Sequence, residues 1–384
     1  MSIPFIDLKS QFARLEPEIR RRMDAVLAHG QYIMGPEIRE LEEKLAAFAG
    51  TRFCLSCSSG TDALLLPLMA LGVGPGDAVL TSAYSFYATA EVIALLGATP
   101  VFVDIDPATY NMDPAALERA VHALLQNDPA LHPLPKGYES LTPRAVIPVD
   151  LFGLPADYAA IEAVASAHGL PIIEDAAQGF GGAVNGKRAG SFGLCAATSF
   201  FPAKPLGCYG DGGAIFTDDE ALHEKLISLR VHGQGSDKYE NVAVGLNARL
   251  DTLQAAILLP KLEIFPEELE LRQVAAARYT ERLSGLVETP VIPDGYFSAY
   301  AQYTVRTDRR EQLMSGLSAS GVPTMVYYRI PLHQQPVFAH LGYREGDMPH
   351  SEKASREVVS LPMHPWLTEA DAETIGNAVR AVLW

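Results

Sequence analysis

FCLSCSSGTDALLL, residues 53–66, joins a short apolar run, a polar corner from Ser58 to Thr61, and a leucine-rich stretch of helical character. A five-residue apolar run suits a strand covered on both faces, the kind found inside parallel sheets. The unit recurs downstream. AVLTS (78–82) precedes a helix expected from about Phe86, PVFVD (100–104) one from Asp113, AVIPV (145–149) one from Pro155, and PIIED (171–175) a loop. Buried strands alternating with helices predict an α/β fold, a mostly parallel sheet flanked by helices, with ligands gathering at the carboxyl ends of the strands.

Working outward, Phe12, Leu15, Ile19, Met23 and Val26 repeat at helical spacing up to Gly30, and a second helix is expected from Pro36 to Gly50. Pro67 should kink the helix after the first strand or shift its boundary. Residues 126–144 hold four prolines and no periodicity, and read as a surface loop or insertion. After Gly213 come a strand, AIFT, a helix to about Arg230, and a polar, glycine-bearing stretch that reads as mobile or interfacial. From Asp251 one or two long helices, punctuated by Pro260 and Pro266, should link a large domain (1–255) to a smaller α+β C-terminal domain (256–384). In the latter, QYTVRT and PTMVYY are expected as strands, and 309–320 and 368–382 as helices.

The chain's 384 residues suffice for a large core plus a smaller one. A formal charge of −16 argues against nucleic-acid or anionic-membrane binding over the whole surface, so an anionic ligand needs a local cradle. No apolar run approaches the roughly 20 residues of a membrane span. MSIPFIDLKSQ carries no secretory pattern, and a cytoplasmic protein is expected. Cys54 and Cys57 form a C-x-x-C without a second ligand pair at zinc-finger spacing, so no metal is expected.

Three places carry candidate chemistry. Lys204 stands among small, apolar and glycine residues in TSFFPAKPLGCYGDGG (198–213), with no carboxylate before Asp211. Seclusion favours the neutral, nucleophilic amine that a Schiff-base lysine needs; the other reading is a surface loop lysine. Ser58, Ser59, Gly60 and Thr61, between a strand and a helix, form either a phosphate seat or an ordinary N-cap. Asp175, at a strand's carboxyl end with Gln178 three residues on, is placed to hold a positive ring nitrogen or to cap a turn. Together the three describe what pyridoxal phosphate (PLP) asks of a protein: an anchored phosphate, a protonated pyridine and a lysine for the aldehyde. Ser199 can add a phosphate hydrogen bond and Phe86 a ring face.

Over nearly its whole length the chain resembles the DegT/DnrJ/EryC1/StrS family of fold-type I, PLP-dependent nucleotide-sugar aminotransferases. The likeness is carried, in order, by FIDLKSQ, YIMGPEIRELEEKLA, SSGTDAL, DIDPATYNMDP, IIEDAAQGFGG, SFFPAKPLGCYGDGGAI, GLNARLDTLQAAIL and IPLHQQP. The resemblance implies Lys204 as the cofactor-bearing lysine and general acid/base, Asp175 as partner of the pyridine nitrogen, and Gln178 and Phe86 at the ring. It implies Gly60, Thr61 and Ser199 at the phosphate, with Asn247 reaching in from a neighbouring subunit, and hence a homodimer. Lysine at 204, where a dehydrating subset has histidine, implies transamination from L-glutamate, leaving 2-oxoglutarate, to a nucleotide-linked keto-sugar. Among members the chain looks most like those that aminate C3 of a UDP-2-acetamido-3-oxo-glucuronate, in surface polysaccharide synthesis. Arg249 would pair with the sugar carboxylate or form a subunit-interface salt bridge. Tyr327 and Tyr328 would line the sugar pocket, although histidine is expected at 327 in that subgroup, and His333 would be a sugar contact or a structural histidine. The alternatives are a 4-keto-6-deoxy sugar as substrate, or a PLP-binding sensor without turnover.

Overall fold

The computed structural model describes residues 3–237 and 239–384. Its strands are β1 (Phe53–Cys57), β2 (Asp77–Ser82), β3 (Thr99–Val103), β4 (Thr142–Ile147), β5 (Ile173–Asp175), β6 (Ala183–Val184), β7 (Lys187–Arg188), β8 (Cys195–Ser199), β9 (Gly213–Thr217), β10 (Tyr296–Phe297), β11 (Tyr303–Arg306) and β12 (Val358–Leu361). The helices are α1 (Leu8–His29), α2 (Pro36–Ala49), α3 (Gly60–Ala70), α4 (Ala88–Leu95), α5 (Pro114–Gln126), α6 (Tyr158–Ala167), α7 (Glu220–Arg230), α8 (Thr252–Leu283), α9 (Arg310–Ala319), α10 (Pro349–Glu357) and α11 (Glu369–Leu383).

The strands β3-β2-β4 and β5-β8-β9-β1 join through the parallel pairings Val146–Ile172 and Val149–Asp175 into one sheet. Within it β2 is parallel to β3 and β4, and β5 to β8, while β9 runs antiparallel to both β8 and β1. The carboxyl ends of β1, β2, β4, β5 and β8 therefore share one edge. Helices bury apolar faces on both sides: α2 and α8 supply Leu41, Leu45, Leu258 and Leu262 to one core, and α3 and α7 supply Leu64, Leu68, Leu226 and Leu229 to another.

The long helix α8 spans two cores. Ala255 to Leu269 pack with the large sheet, whereas Ala275 to Leu283 pack with α9, α11, β11 and β12 in the smaller C-terminal unit. It continues through Pro260 and Pro266 as one helix. Likewise α3 runs past Pro67 to Ala70, so the expected boundary shift does not occur. The helix expected from Pro155 begins at Tyr158, because the Asp157 carboxylate caps it by accepting from the Ala160 N–H at 3.1 Å.

One other expectation changes. PTMVYY is not a strand: only Met325 pairs, with Ser360, and the Tyr84 hydroxyl takes up the backbone groups of Tyr327 and Tyr328 that a neighbouring strand would have used. The 126–144 segment is, as expected, largely a surface loop between α5 and β4, anchored where His132 is buried against the Phe102 carbonyl and where the Lys136 N–H donates to the Leu341 carbonyl. Among the described residues no helix is long and apolar enough to cross a membrane.

Candidate active site

The shared sheet edge opens into a cavity of about 420 Å³ that brings together Gly60, Thr61, Phe86, Asp175, Gln178, Ser199, Lys204, Tyr327 and Tyr328. The connection from β1 to α3 forms one wall. Ser59 caps α3 by accepting from the Asp62 N–H at 3.1 Å, which leaves the first backbone N–H groups and the positive end of an 11-residue helix facing the cavity. A side chain at Gly60 would place its Cβ 2.6 Å from Ser199 Cβ, and one at Gly213 would lie 2.4 Å from the Ser59 carbonyl oxygen. Both glycines thus let β1, β8 and β9 close tightly around an anion-sized corner. Ser199 Oγ accepts from the Phe201 N–H at 3.2 Å.

Asp175 lies at the end of β5, buried in the cavity wall. Its Oδ2 accepts from the Thr89 hydroxyl at 2.8 Å and its Oδ1 from the Ala177 N–H at 3.2 Å; the Ser85 hydroxyl lies 3.0 Å from Thr89 Oγ1. Burial pushes the carboxyl above its ordinary range, against the pull of the Thr89 and Ala177 bonds and the Lys204 charge. Glu174, one position earlier, points the opposite way and accepts from the Gly190 and Phe192 N–H groups at 2.7 and 2.8 Å.

Lys204 borders the same cavity, and burial lowers its amine's proton affinity although Asp175 opposes the shift. Its side chain makes no hydrogen bond or ion pair among the described residues. The loop that carries it is held from beneath by α8: the buried Lys261 ammonium donates to the Gly207 carbonyl, and Gln254 Oε1 accepts from the Tyr209 N–H at 2.9 Å. Burial brings Lys261 down to about 8. A secluded amine facing a buried carboxylate, next to a helix N-terminus, is a donor set that fits PLP: the helix N-terminus suits the phosphate, the carboxylate a protonated ring nitrogen, and the amine, as a nucleophile, the aldehyde.

Gln178 is engaged at both ends, its Oε1 accepting from the Phe152 N–H at 3.0 Å and its Nε2 donating to the Tyr328 hydroxyl at 3.1 Å. Phe86 is half-exposed at 54 %, leaving a ring face for a ligand, with its ring 6.1 Å from that of Tyr328. Asn247 and Arg249 do not line the cavity: Asn247 is exposed beside Val231, and Arg249 is half-buried with no partner for its Nε among the described residues. His333 is not brought to the cavity either. Its 3-10 turn, Leu332–Gln334, directs the ring inward, where Nε2 lies 3.1 Å from Glu352 Oε1 between Phe102 and Tyr343, so the structural alternative is the one the packing supports. Ser85, Thr89 and Gln302 line the cavity, and Tyr84 and Lys261 hold its walls from outside; sequence reasoning singled out none of the five. The four cysteines are free and buried, and no metal-binding cluster occurs among the described residues.

The sheet order with its single reversed strand, the flanking helices and the smaller C-terminal unit define a fold-type I PLP-dependent transferase. The chain belongs to the DegT/DnrJ/EryC1/StrS aminotransferase family, whose model matches residues 13–380. It is 52% identical, over 98% of its length and 99% of the relative's, to the UDP-2-acetamido-2-deoxy-3-oxo-D-glucuronate aminotransferase of Pseudomonas aeruginosa. It is 40% identical, over 100% of its length and 98% of the relative's, to a UDP-N-acetyl-3-dehydro-alpha-D-glucosamine 3-aminotransferase of Acidithiobacillus ferrooxidans. Among solved structures, a family aminotransferase from Brucella abortus superposes with a TM-score of 0.94 at 47% identity, covering 99% of both chains.

Proposed function

We propose that this chain transfers the amino group of L-glutamate to a UDP-linked keto-sugar, C3 of UDP-2-acetamido-2-deoxy-3-oxo-glucuronate, in surface polysaccharide synthesis. The observation that carries the reading is Lys204 facing Asp175 across one cavity with the α3 N-terminus beside them. The relatives at 52% and 40% identity, whose names both specify C3 of a UDP-sugar, support the choice of carbon and nucleotide.

PLP, when bound, supplies an electron sink that makes the protons next to the transferred nitrogen acidic. The N–H groups of Gly60 and Thr61 and the Ser199 hydroxyl hold its phosphate, Asp175 holds its ring nitrogen protonated, and Phe86 and Gln178 flank its ring. Lys204 carries the cofactor at rest. Its amine, whose proton affinity burial lowers, takes the proton from Cα of glutamate and in the second half-reaction returns one to the sugar carbon that receives nitrogen. Tyr327 and Tyr328 meet the sugar. Asn247, exposed on its own subunit, reaches the phosphate of a neighbouring one, and Arg249 pairs with the sugar carboxylate, which makes a homodimer the working unit in the cytoplasm.

The test is to incubate the PLP-loaded protein with glutamate and a panel of keto-sugar nucleotides and to identify products by mass and NMR. The reading expects 2-oxoglutarate with a 3-amino UDP-sugar and ping-pong kinetics. A product formed only from a 4-keto-6-deoxy sugar would replace the substrate, and consumption of glutamate with no amino sugar from any acceptor would favour a sensor.

A further inference from the structure

Tyr84 follows β2 and is fully buried, one residue before the Ser85–Thr89–Asp175 chain and two before Phe86. Its hydroxyl is used twice on one stretch of the C-terminal unit: it donates to the Tyr327 carbonyl at 2.7 Å and accepts from the Tyr328 N–H at 2.8 Å. Its ring stands edge-on to that of Tyr328 at 6.2 Å. The Tyr328 hydroxyl in turn takes the Gln178 amide, whose carbonyl takes the Phe152 N–H. One phenol therefore ties the segment carrying two cavity-lining tyrosines to the sheet edge that carries Asp175.

We propose that Tyr84 is the positioning residue for the sugar-facing wall of the cavity: it acts through Tyr327 and Tyr328 on binding of the keto-sugar nucleotide rather than on the amino donor. The choice of ligand rests on the function proposed above. The groups assigned to the cofactor and to proton transfer all come from the large sheet and its loops, whereas Tyr327 and Tyr328 come from the C-terminal unit, with Tyr327 only half-buried. No strand neighbour can replace Tyr84 there, because the ladder beside β12 ends at the Met325–Ser360 pairing. Removing one hydroxyl strips partners from a carbonyl and an N–H together while a phenyl ring still fills the space.

The experiment is Tyr84→Phe in the full-length, PLP-loaded protein, read in three ways after its Tm shows that it folds. Hydrogen exchange of a peptide covering 325–330 should speed up at least tenfold, while one covering 198–208 keeps its wild-type rate. With whichever keto-sugar nucleotide the wild type aminates, KM should rise about tenfold, and the glutamate half-reaction should slow by less than twofold. Unchanged exchange at 325–330 overturns the proposal, as does a fall of both half-reactions in equal measure, the mark of a structural role alone. The exchange arm needs no substrate, so a wild type that aminates no sugar would count against the proposed function and leave this test standing.

Discussion

Thr89→Val tests whether the Asp175 carboxylate is held as the structure shows it. Valine keeps the shape of threonine and removes the hydroxyl that donates to Asp175 Oδ2 at 2.8 Å and also contacts the Ser85 hydroxyl, leaving a buried carboxyl oxygen without that bond. A hydrogen bond to a charged group contributes about 1.5–3 kcal/mol, so the cofactor-free variant should be less stable by about that amount at pH values where the carboxyl is ionised. The sign of its pH dependence follows from the carboxyl's position. Burial already raises Asp175 above its ordinary 3.8, and the Thr89 bond is one of the influences pulling it back down, so the variant's carboxyl moves further up. A carboxyl raised on folding contributes stability that is present below its ordinary range and lost as pH rises through its folded value. The variant's deficit relative to wild type should therefore be smallest below the ordinary carboxyl range, where both carboxyls are protonated, and grow as pH rises through their raised folded values. Urea melts of both proteins across those pH values measure it, with the wild type cancelling every other titrating group. A deficit that does not vary with pH, or none at all, would refute the reasoning.

Gly60→Ala should weaken PLP binding about tenfold or more, because a Cβ 2.6 Å from Ser199 Cβ forces the α3 N-terminus and β8 apart; a cofactor titration followed by absorbance would show it, and wild-type affinity would dispose of the phosphate seat. Arg249→Ala should lower kcat/KM for a carboxylated sugar nucleotide at least tenfold more than for its uncarboxylated analogue, since a two-bond fork to a carboxylate is lost. Equal losses on both substrates, accompanied by a weakened dimer on sedimentation, would instead assign Arg249 to the subunit interface.

The large sheet was legible because its strands are apolar runs bounded by glycine and polar corners, and because Gly30, Gly50 and Pro36 punctuate the first two helices where expected. The hairpin of β6 and β7 escaped notice although its signal was present: Asn185 and Gly186 both have positive φ, 50° and 83°, as an Asn-Gly turn between two strands requires. PTMVYY misled because tyrosine and valine favour strands wherever a neighbour exists, and here the neighbour is a side-chain hydroxyl. Within the cavity, Lys204 could be read because it is a lone charge among apolar and glycine residues, and Asp175 because it ends an apolar strand. Thr89 could not, since nothing local tells a threonine on α4 that its partner lies 86 residues on, nor that Lys261, on a helix 54 residues beyond Gly207, props the loop that carries Lys204. His333 shows the converse: a histidine in a motif-like stretch, taken inward by Glu352, a partner the local sequence does not reveal.

Borohydride reduction of the PLP-loaded protein, followed by peptide mapping, bears most directly on the central claim. The pyridoxyl label should lie on Lys204 alone and vanish in Lys204→Ala, leaving Lys261 unlabelled although burial also lowers its proton affinity. A label on any other lysine, or no label at all, would contradict the account.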